Sequence, residues 1–595
     1  MDGGVGGLRG AGGRNPAGGT GAGAGGGSAG DITASAGNAG VGGAGGVPDA
    51  SVPGALPAHV ISASPGPGAT NVDTHAVLAL MLDRTAAASD RGAAELLVGG
   101  VAVAVTPSVS GNTLTLSPDA PLAMSTTYTV RVNGVLGMSE WSFTTADGVF
   151  RTTEELFYGG PNASEFSRAV VADTAIRDGL AVVAYRTVQK VLLRRTVGGV
   201  DRRGLPDSDA AAPAVSWQAE EPVADAATDT LVAGETTAEV GVGIDGAGGL
   251  VVAWNAPISG TTGAYTIFTS TWSSKTKAWS AAERRETDTD SCAPADTTCT
   301  VSEPRLAVSS GGAALLTWER WTKPGTAAAT STVWATALVA GKWLPATVIS
   351  GASARQPSVA VDGPGDGAVV WVEQSGGFDV PRVRRFTAAK QTWDTARTLA
   401  STAQTNARVP SVSMNDAATL LASWAAWPPG ADVGTGQGMT RVYWEAPTVT
   451  GMPGSGPASA VNDIFRASLG AKNDVLGAWG APNPNSVSAV VHSLPAGGAD
   501  VWPSGKTISS VEDYVSDPVP RIDARARGLV TWRVGTDKVD PGLYAARYDS
   551  TKWSAPRLLV PGSQAGPFLA MEDDGRALVA WIDTKSGALD AILFE

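Results

Sequence analysis

A proline, a short apolar run, a Gly/Asp/Asn/Ser turn and a second apolar run ending in tryptophan recur along most of this chain. Pro304 to Trp318, Pro357 to Trp371, Pro410 to Trp424 and Pro567 to Trp581 each span the same 14 steps. Looser copies end at Trp254, Trp479 and Trp532, and Tyr185 takes the aromatic place in the earliest copy. The eight aromatic positions are spaced 69, 64, 53, 53, 55, 53 and 49 residues apart. Period-two alternation between turn signals predicts half-buried strands. A unit copied at a near-constant period predicts a repeat architecture.

The copy at Pro520–Leu559 reads as four strands, at Arg521–Asp523, Leu529–Trp532, Gly542–Tyr548 and from Trp553 to Leu559. The fourth strand is marked by a tryptophan six residues before an aliphatic, as in Trp217/Val223, Trp343/Ile349, Trp393/Leu399, Trp502/Ile508 and Trp553/Leu559. Trp279 starts a weaker copy with Arg285 at the aliphatic place. The fifth copy lacks the mark, and the Gly/Pro-rich stretch Met452–Val461 predicts an irregular outer strand. The eighth copy reaches Glu595 before any fourth strand, but Phe150 and Leu156 carry the same spacing at the other end of the repeat region. Phe150–Phe157 is therefore expected to pair with the sheet whose inner strands lie within Phe568–Phe594. The expected fold is all-β. Residues 149–595 are read as an eight-bladed β-propeller, with seven blades as the alternative, closed by that N-terminal strand so that only short edges remain. The repeated tryptophans are expected to pack between blades rather than to hold a ligand.

Glycine numbers 75 and charged residues make up only 17%, as suits a turn-rich β protein. The net charge of −13 lacks the basic field of a nucleic-acid binder, so no nucleic-acid partner is expected. His59, His75 and His492 are scattered, with no metal-ligand spacing, and no metal or cofactor is expected. Cys292 and Cys299 lie in one polar loop and suggest a local disulfide, hence an oxidising compartment. No apolar run is long enough to span a membrane. Met1–Gly30 has neither a charged n-region nor an apolar h-region, so export is expected through a start upstream of Met1 or a route the sequence does not display.

Residues 1–54 are Gly/Ala/Ser-rich and expected to form a disordered tether, because they cannot bury enough apolar surface to offset chain entropy. Residues 55–148 read as about seven short strands, the size of an immunoglobulin-like sandwich. Leu116, Leu122, Tyr128, Val130, Val132, Trp141 and Phe143 are the expected core. The phrases SPGPGATNV, LSPDAPLAMSTTYTVRV and WSFTT resemble the bacterial immunoglobulin-like domain of the S-layer protein SbsA, with Ser125 where that family usually has glycine. The resemblance implies a secreted or envelope-attached spacer without catalytic residues.

Long, varied loops between the second and third strands of several copies mark one face as the expected binding face. Trp321, Phe378 and Trp427 lie there and could stack on a sugar or peptide; the alternative is that they pack beneath their own loops. No copy carries the Ser-x-Asp-x-Gly-x-x-Trp turn of sialidases, no GxSxG elbow occurs, and adjacent arginine pairs such as Arg384–Arg385 face opposite sides of a strand. No catalytic residue is assigned. The expected function is an extracellular or cell-envelope-attached, monomeric binding or adhesion protein for a glycan, peptide or surface protein. The alternative is a sialidase-like, carbohydrate-active propeller enzyme.

Overall fold

A computed structural model describes residues 59–119, 122–133, 136–137, 140–158, 168–187, 190–196, 216–223, 239–257, 265–286, 300–322, 329–399, 406–427, 436–443, 458–461, 464–482, 485–494, 503–510, 515–535 and 541–595. The 1–54 tether, Trp502 and the Cys292/Cys299 pair lie outside the described residues. The described chain is all-β, with no α-helix among the described residues.

Residues 59–144 form two antiparallel-dominated sheets. One runs Val105–Ser110, Thr113–Pro118, Leu78–Leu82, His59–Ser64, Leu136–Gly137; the other runs Val101–Ala102, Ala94–Val98, Thr127–Val132, Glu140–Thr144. Strict alternation in Thr127–Val132 sends Tyr128, Val130 and Val132 inward and Thr127 and Arg131 to solvent. Across the ladder Tyr128 faces Phe143 and Val130 faces Trp141, and the first pair stacks with centroids 5.7 Å apart. All seven expected core residues are buried in one cluster between the sheets.

From Glu154 to Phe594 the described residues form eight further antiparallel sheets of four or five strands. Their innermost strands are, in chain order, Ala169–Arg177, Val240–Ile244, Thr300–Val308, Ala354–Val361, Asn406–Met414, Phe465–Leu469, Val515–Ile522 and Gln564–Met571. The arrangement is propeller-like. The outer strand is often split, as in Lys342–Trp343 and Thr347–Val348, both of which pair with Thr330–Val339. In the fifth sheet Ala458–Val461 pairs with Gly436–Tyr443 through a shifted register.

The 14-step spacing has a geometric cause. In five inner strands the ladder carries a bulge in which two residues stand against one tryptophan of the next strand. The pairs are Glu303–Pro304, Gln356–Pro357, Val409–Pro410, Asp517–Pro518 and Gly566–Pro567, opposite Trp318, Trp371, Trp424, Trp532 and Trp581. Proline cannot donate to a ladder, so it occupies the bulge. The residue before it has a positive φ each time: 55°, 55°, 47°, 52° and 105°. In the seventh sheet the register residue is Pro518, not Pro520, and the strand starts at Val515. The sheets of Trp254 and Trp479 lack the proline and pair Val240 and Phe465 directly with those tryptophans.

Each of these aromatics packs on the neighbouring sheet. Trp254 lies on Val182 and Ala184, Trp424 on Val370 and Val372, and Trp532 on Leu476 and Val487. Tyr185, in the first of these sheets, clusters with Leu578, Ala580 and Leu589 of the last. That last sheet takes its outer strand from far upstream: Glu154 pairs with Ala591, Glu155 with Asp590 and Phe157 with Leu589. Phe150 bridges to Phe594, ring centroids 5.0 Å apart, and Leu156 joins the same core as Leu593.

The immunoglobulin-like domain is held to the sheets by side chains. Arg525 Nη1 donates to the Met124 carbonyl at 2.7 Å and also bonds Thr126 Oγ1. Asp147 accepts from Arg547 Nε at 3.3 Å and lies 3.6 Å from Arg527 Nη1, which belongs to a guanidinium also paired to buried Asp523 at 2.7 Å. Arg151 donates to His75 Nδ1 and to Glu595 Oε1, both at 3.1 Å. At Gly148, φ +93°, any side chain would collide with Met124 Sδ and the Phe594 ring, so the crossing point between the two parts admits only glycine.

Candidate functional site

Among the described residues the inner strands line a cavity toward each of their ends. The turns between first and second strands are built alike: Asp245 Oδ1 accepts the N–H groups of Ala247 and Gly249, and Asp523 Oδ1 those of Arg525 and Arg527. Such short polar side chains bond their own turn backbone, which explains the recurring Asp/Ser/Asn at this place. Neighbouring turns are tied together by Gly246 N–H to Ser310 O, Gly363 N–H to Asp416 Oδ1 and Gly179 N–H to Glu572 Oε1. The cavity at this end, about 450 Å³, is lined by Asp178, Asp416, Glu572, Asp573 and Asp574, with Arg177 and Arg576. Among the described residues no group of acidic, histidine or cysteine side chains is arranged to hold a metal ion.

The second cavity, about 540 Å³, lies nearer the other ends of the inner strands and draws its wall from seven of the eight. One rung of those strands, opposite the residue before each aromatic, supplies Asp173, Arg305, Ser358, Ser411, Arg466, Val519 and Phe568. The eighth strand has Gly241 at that rung and contributes no side chain. Arg521, two residues past Val519, adds a third guanidinium, and the bulge residues Glu303, Gln356 and Val409 complete the wall. Asp173 Oδ2 accepts the Val242 N–H at 2.9 Å, and burial pushes its carboxyl up. Burial pushes the Arg466 and Arg521 guanidiniums down from the usual arginine value.

Beside this cavity two adjacent sheets bring three carboxyls together. Glu303, on the bulge of the third sheet, lies 4.0 Å from Arg305. Glu319, on the next strand of the same sheet, accepts the Gln356 N–H of the fourth sheet at 3.2 Å. Glu239 precedes the inner strand of the second sheet. Burial, reinforced by the Glu303 charge, pushes Glu239 and Glu319 up to about 7. Each of these two groups therefore exchanges a proton near neutrality.

The residues expected on the binding face separate. Trp321 is 39% exposed and lies two residues from Glu319, on the same face of its strand. Phe378 is half-buried at a tight hairpin, pairing with Ser375 across Gly376–Gly377. Trp427 is not in a loop. Its strand runs to Trp427 itself, paired with Asn406, and the indole is 6% exposed against Phe465 and Trp479 with Arg408 5.5 Å from its ring. The prolines that follow mark the end of the strand, not its absence. The sequence reading missed Glu239, Glu303, Arg305, Glu319, Arg466 and Arg521. Aligning the copies on their tryptophans and comparing the column of the cavity rung would have exposed Arg305 and Arg466.

Fold and site together define a two-part all-β protein: a two-sheet immunoglobulin-like sandwich followed by propeller-like sheets that line an arginine-bearing cavity. Residues 55–145 match the family model of the bacterial Ig-like domain. No curated protein matches the chain by sequence. Among solved structures the chain is similar to a Hadza microbial sialidase, at 9% identity and TM-score 0.35, over 88% of this chain and 94% of that one. It is also similar to an ulvan lyase, at 10% identity and TM-score 0.43, over 69% and 98%. A third is the β-propeller domain of the Trilobed protease from Pyrococcus furiosus, at 10% identity and TM-score 0.35, over 60% and 95%. No helix among the described residues is long and apolar enough to cross a membrane.

Proposed function

We propose that this chain is an extracellular or cell-envelope-attached binding protein whose residues 149–595 form an eight-bladed propeller closed by the Glu154–Phe157 strand. The Ig-like domain serves as an SbsA-type spacer that presents this head. Closure is supported by the pairing of that strand with Leu589–Phe594, by the packing of Tyr185 on the last sheet, and by the Gly179–Glu572 hydrogen bond. The binding reading rests on one observation: Trp321 is an exposed indole on the same strand face as Glu319, beside the cavity lined by Glu303 and Arg305. An aromatic platform with carboxyl acceptors next to it suits a sugar ring, whose C–H face stacks while its hydroxyls donate.

A glycan and peptide array probed with the full chain tests this. Specific retention on a glycan class, lost in Trp321→Ala, is the expected result. Absence of retention, or retention unchanged by the substitution, overturns it. A second reading, a carbohydrate-active enzyme, is favoured by Glu239 and Glu319, because a carboxyl titrating near 7 suits general acid catalysis on a glycosidic bond. Turnover of a chromogenic glycoside that disappears in Glu319→Gln would establish it over the binding reading.

A further inference from the structure

The cavity beneath the rim carries a charge arrangement that the rim reading does not use. Arg466 makes no hydrogen bond or ion pair among the described residues, and Arg521 donates only to the carbonyl of its own neighbour Pro520, at 2.9 Å. Neither has a carboxylate within 4.0 Å among the described residues; Asp517 acts on Arg466 and Asp173 on Arg521 from farther off, while Arg305 and Arg521 both act on Arg466 with like charge. Arg466 and Arg521 are both half-buried at the cavity wall, and a partly desolvated guanidinium without a close acid partner carries a cost that an anion between several of them offsets. Asp173, the acid on the same rung, favours the Arg521 charge, but burial pushes its carboxyl up and its Oδ2 is taken by the Val242 N–H. Val519 and Phe568 fill the adjacent part of the rung and give the wall an apolar arc next to the cationic one. The volume of about 540 Å³ is within the range of small-molecule sites. The acidic cavity at the turn end repels anions from that side.

We infer that this cavity is a binding site for a small carboxylate on a carbon skeleton of monosaccharide size, held by Arg466 and Arg521 with its apolar side on Val519 and Phe568. The inference goes beyond the Trp321 reading and does not depend on it. The test is isothermal titration calorimetry of the full chain at low ionic strength with sodium glucuronate, glucose and sodium sulfate. Glucuronate is expected to bind, with glucose and sulfate at least tenfold weaker, and affinity is expected to fall as salt is added. Arg466→Met and Arg521→Met are each expected to weaken glucuronate at least tenfold while leaving the far-ultraviolet circular dichroism unchanged. No binding of glucuronate, equal binding of glucose, or sulfate binding as tightly as glucuronate each overturns the inference. So does parental affinity in both arginine variants. Array retention through Trp321 with no glucuronate heat would sink this site and leave the rim reading standing, and the reverse pattern would do the opposite.

Discussion

Glu319 shows how much a single buried side chain sets the behaviour of this protein with pH. Burial holds its carboxyl up to about 7, as it does for Glu239 and Glu572, and it holds Asp590 up to about 6. Their ordinary values are 4.5 for glutamate and 3.8 for aspartate. Between those values and 7 the folded chain retains protons that the unfolded chain has released. Stability therefore falls as pH rises through this window and levels off above it. Asp90 acts in the opposite sense, since its hydrogen bond from Arg84 holds it below 3.8 and its contribution is lost as pH falls past that value. Thermal midpoints should peak near pH 4–5 and be higher at pH 5 than at pH 8. Glu319→Gln should flatten part of that decline. A midpoint that rises steadily from pH 5 to 8 would refute the assignment.

At the scale of elements, the strand Glu154–Phe157 covers what would otherwise be an open edge of Leu589–Phe594. An uncovered apolar edge invites pairing with another chain. Leu156→Asp places a charge in the core shared by Leu589 and Leu593, and should detach the strand and convert a single size-exclusion peak into soluble aggregate. An unaltered elution profile and unchanged melting would contradict this role. These elements were also the legible part of the sequence. Pro304 and Trp318 are 14 apart because a bulge on one strand must face the aromatic on the next, so geometry repeats the spacing in every copy that has the proline. The site was not legible in the same way. Its rung holds Asp173, Arg305, Ser358, Ser411, Arg466, Val519 and Phe568, a mixed column in which no residue type is common to the copies, so the repeat hides what the inner strands gather. Trp427 was misread for a related reason: exposure depends on the neighbouring sheet, here Phe465 and Trp479, which no local pattern announces.

For the molecule as a whole, the Ig-like domain is anchored rather than loosely strung. Asp147 accepts from Arg547 and forms an ion pair with Arg527 at 3.6 Å; the two arginines are 7% and 2% exposed. Asp147→Ala leaves Arg547, among the described residues, with Asp523 at 3.9 Å and the Phe594 ring at 4.9 Å. It should cost about 2–3 kcal/mol, the scale of hydrogen bonds to a buried charge. Urea denaturation would register the loss as a lower midpoint, and limited proteolysis should show faster cutting near Val149–Arg151. Unchanged values in both would mean that the contact contributes nothing to holding the two parts together.

The pairing of Glu154–Phe157 with Leu589–Phe594 also sets a schedule. On a ribosome adding roughly 5–20 residues per second, the intervening stretch of about 440 residues takes on the order of 20–90 s to emerge. For that whole interval the early strand has been synthesised and its partner has not, so the nascent chain carries this strand unpaired until Leu589–Phe594 emerges.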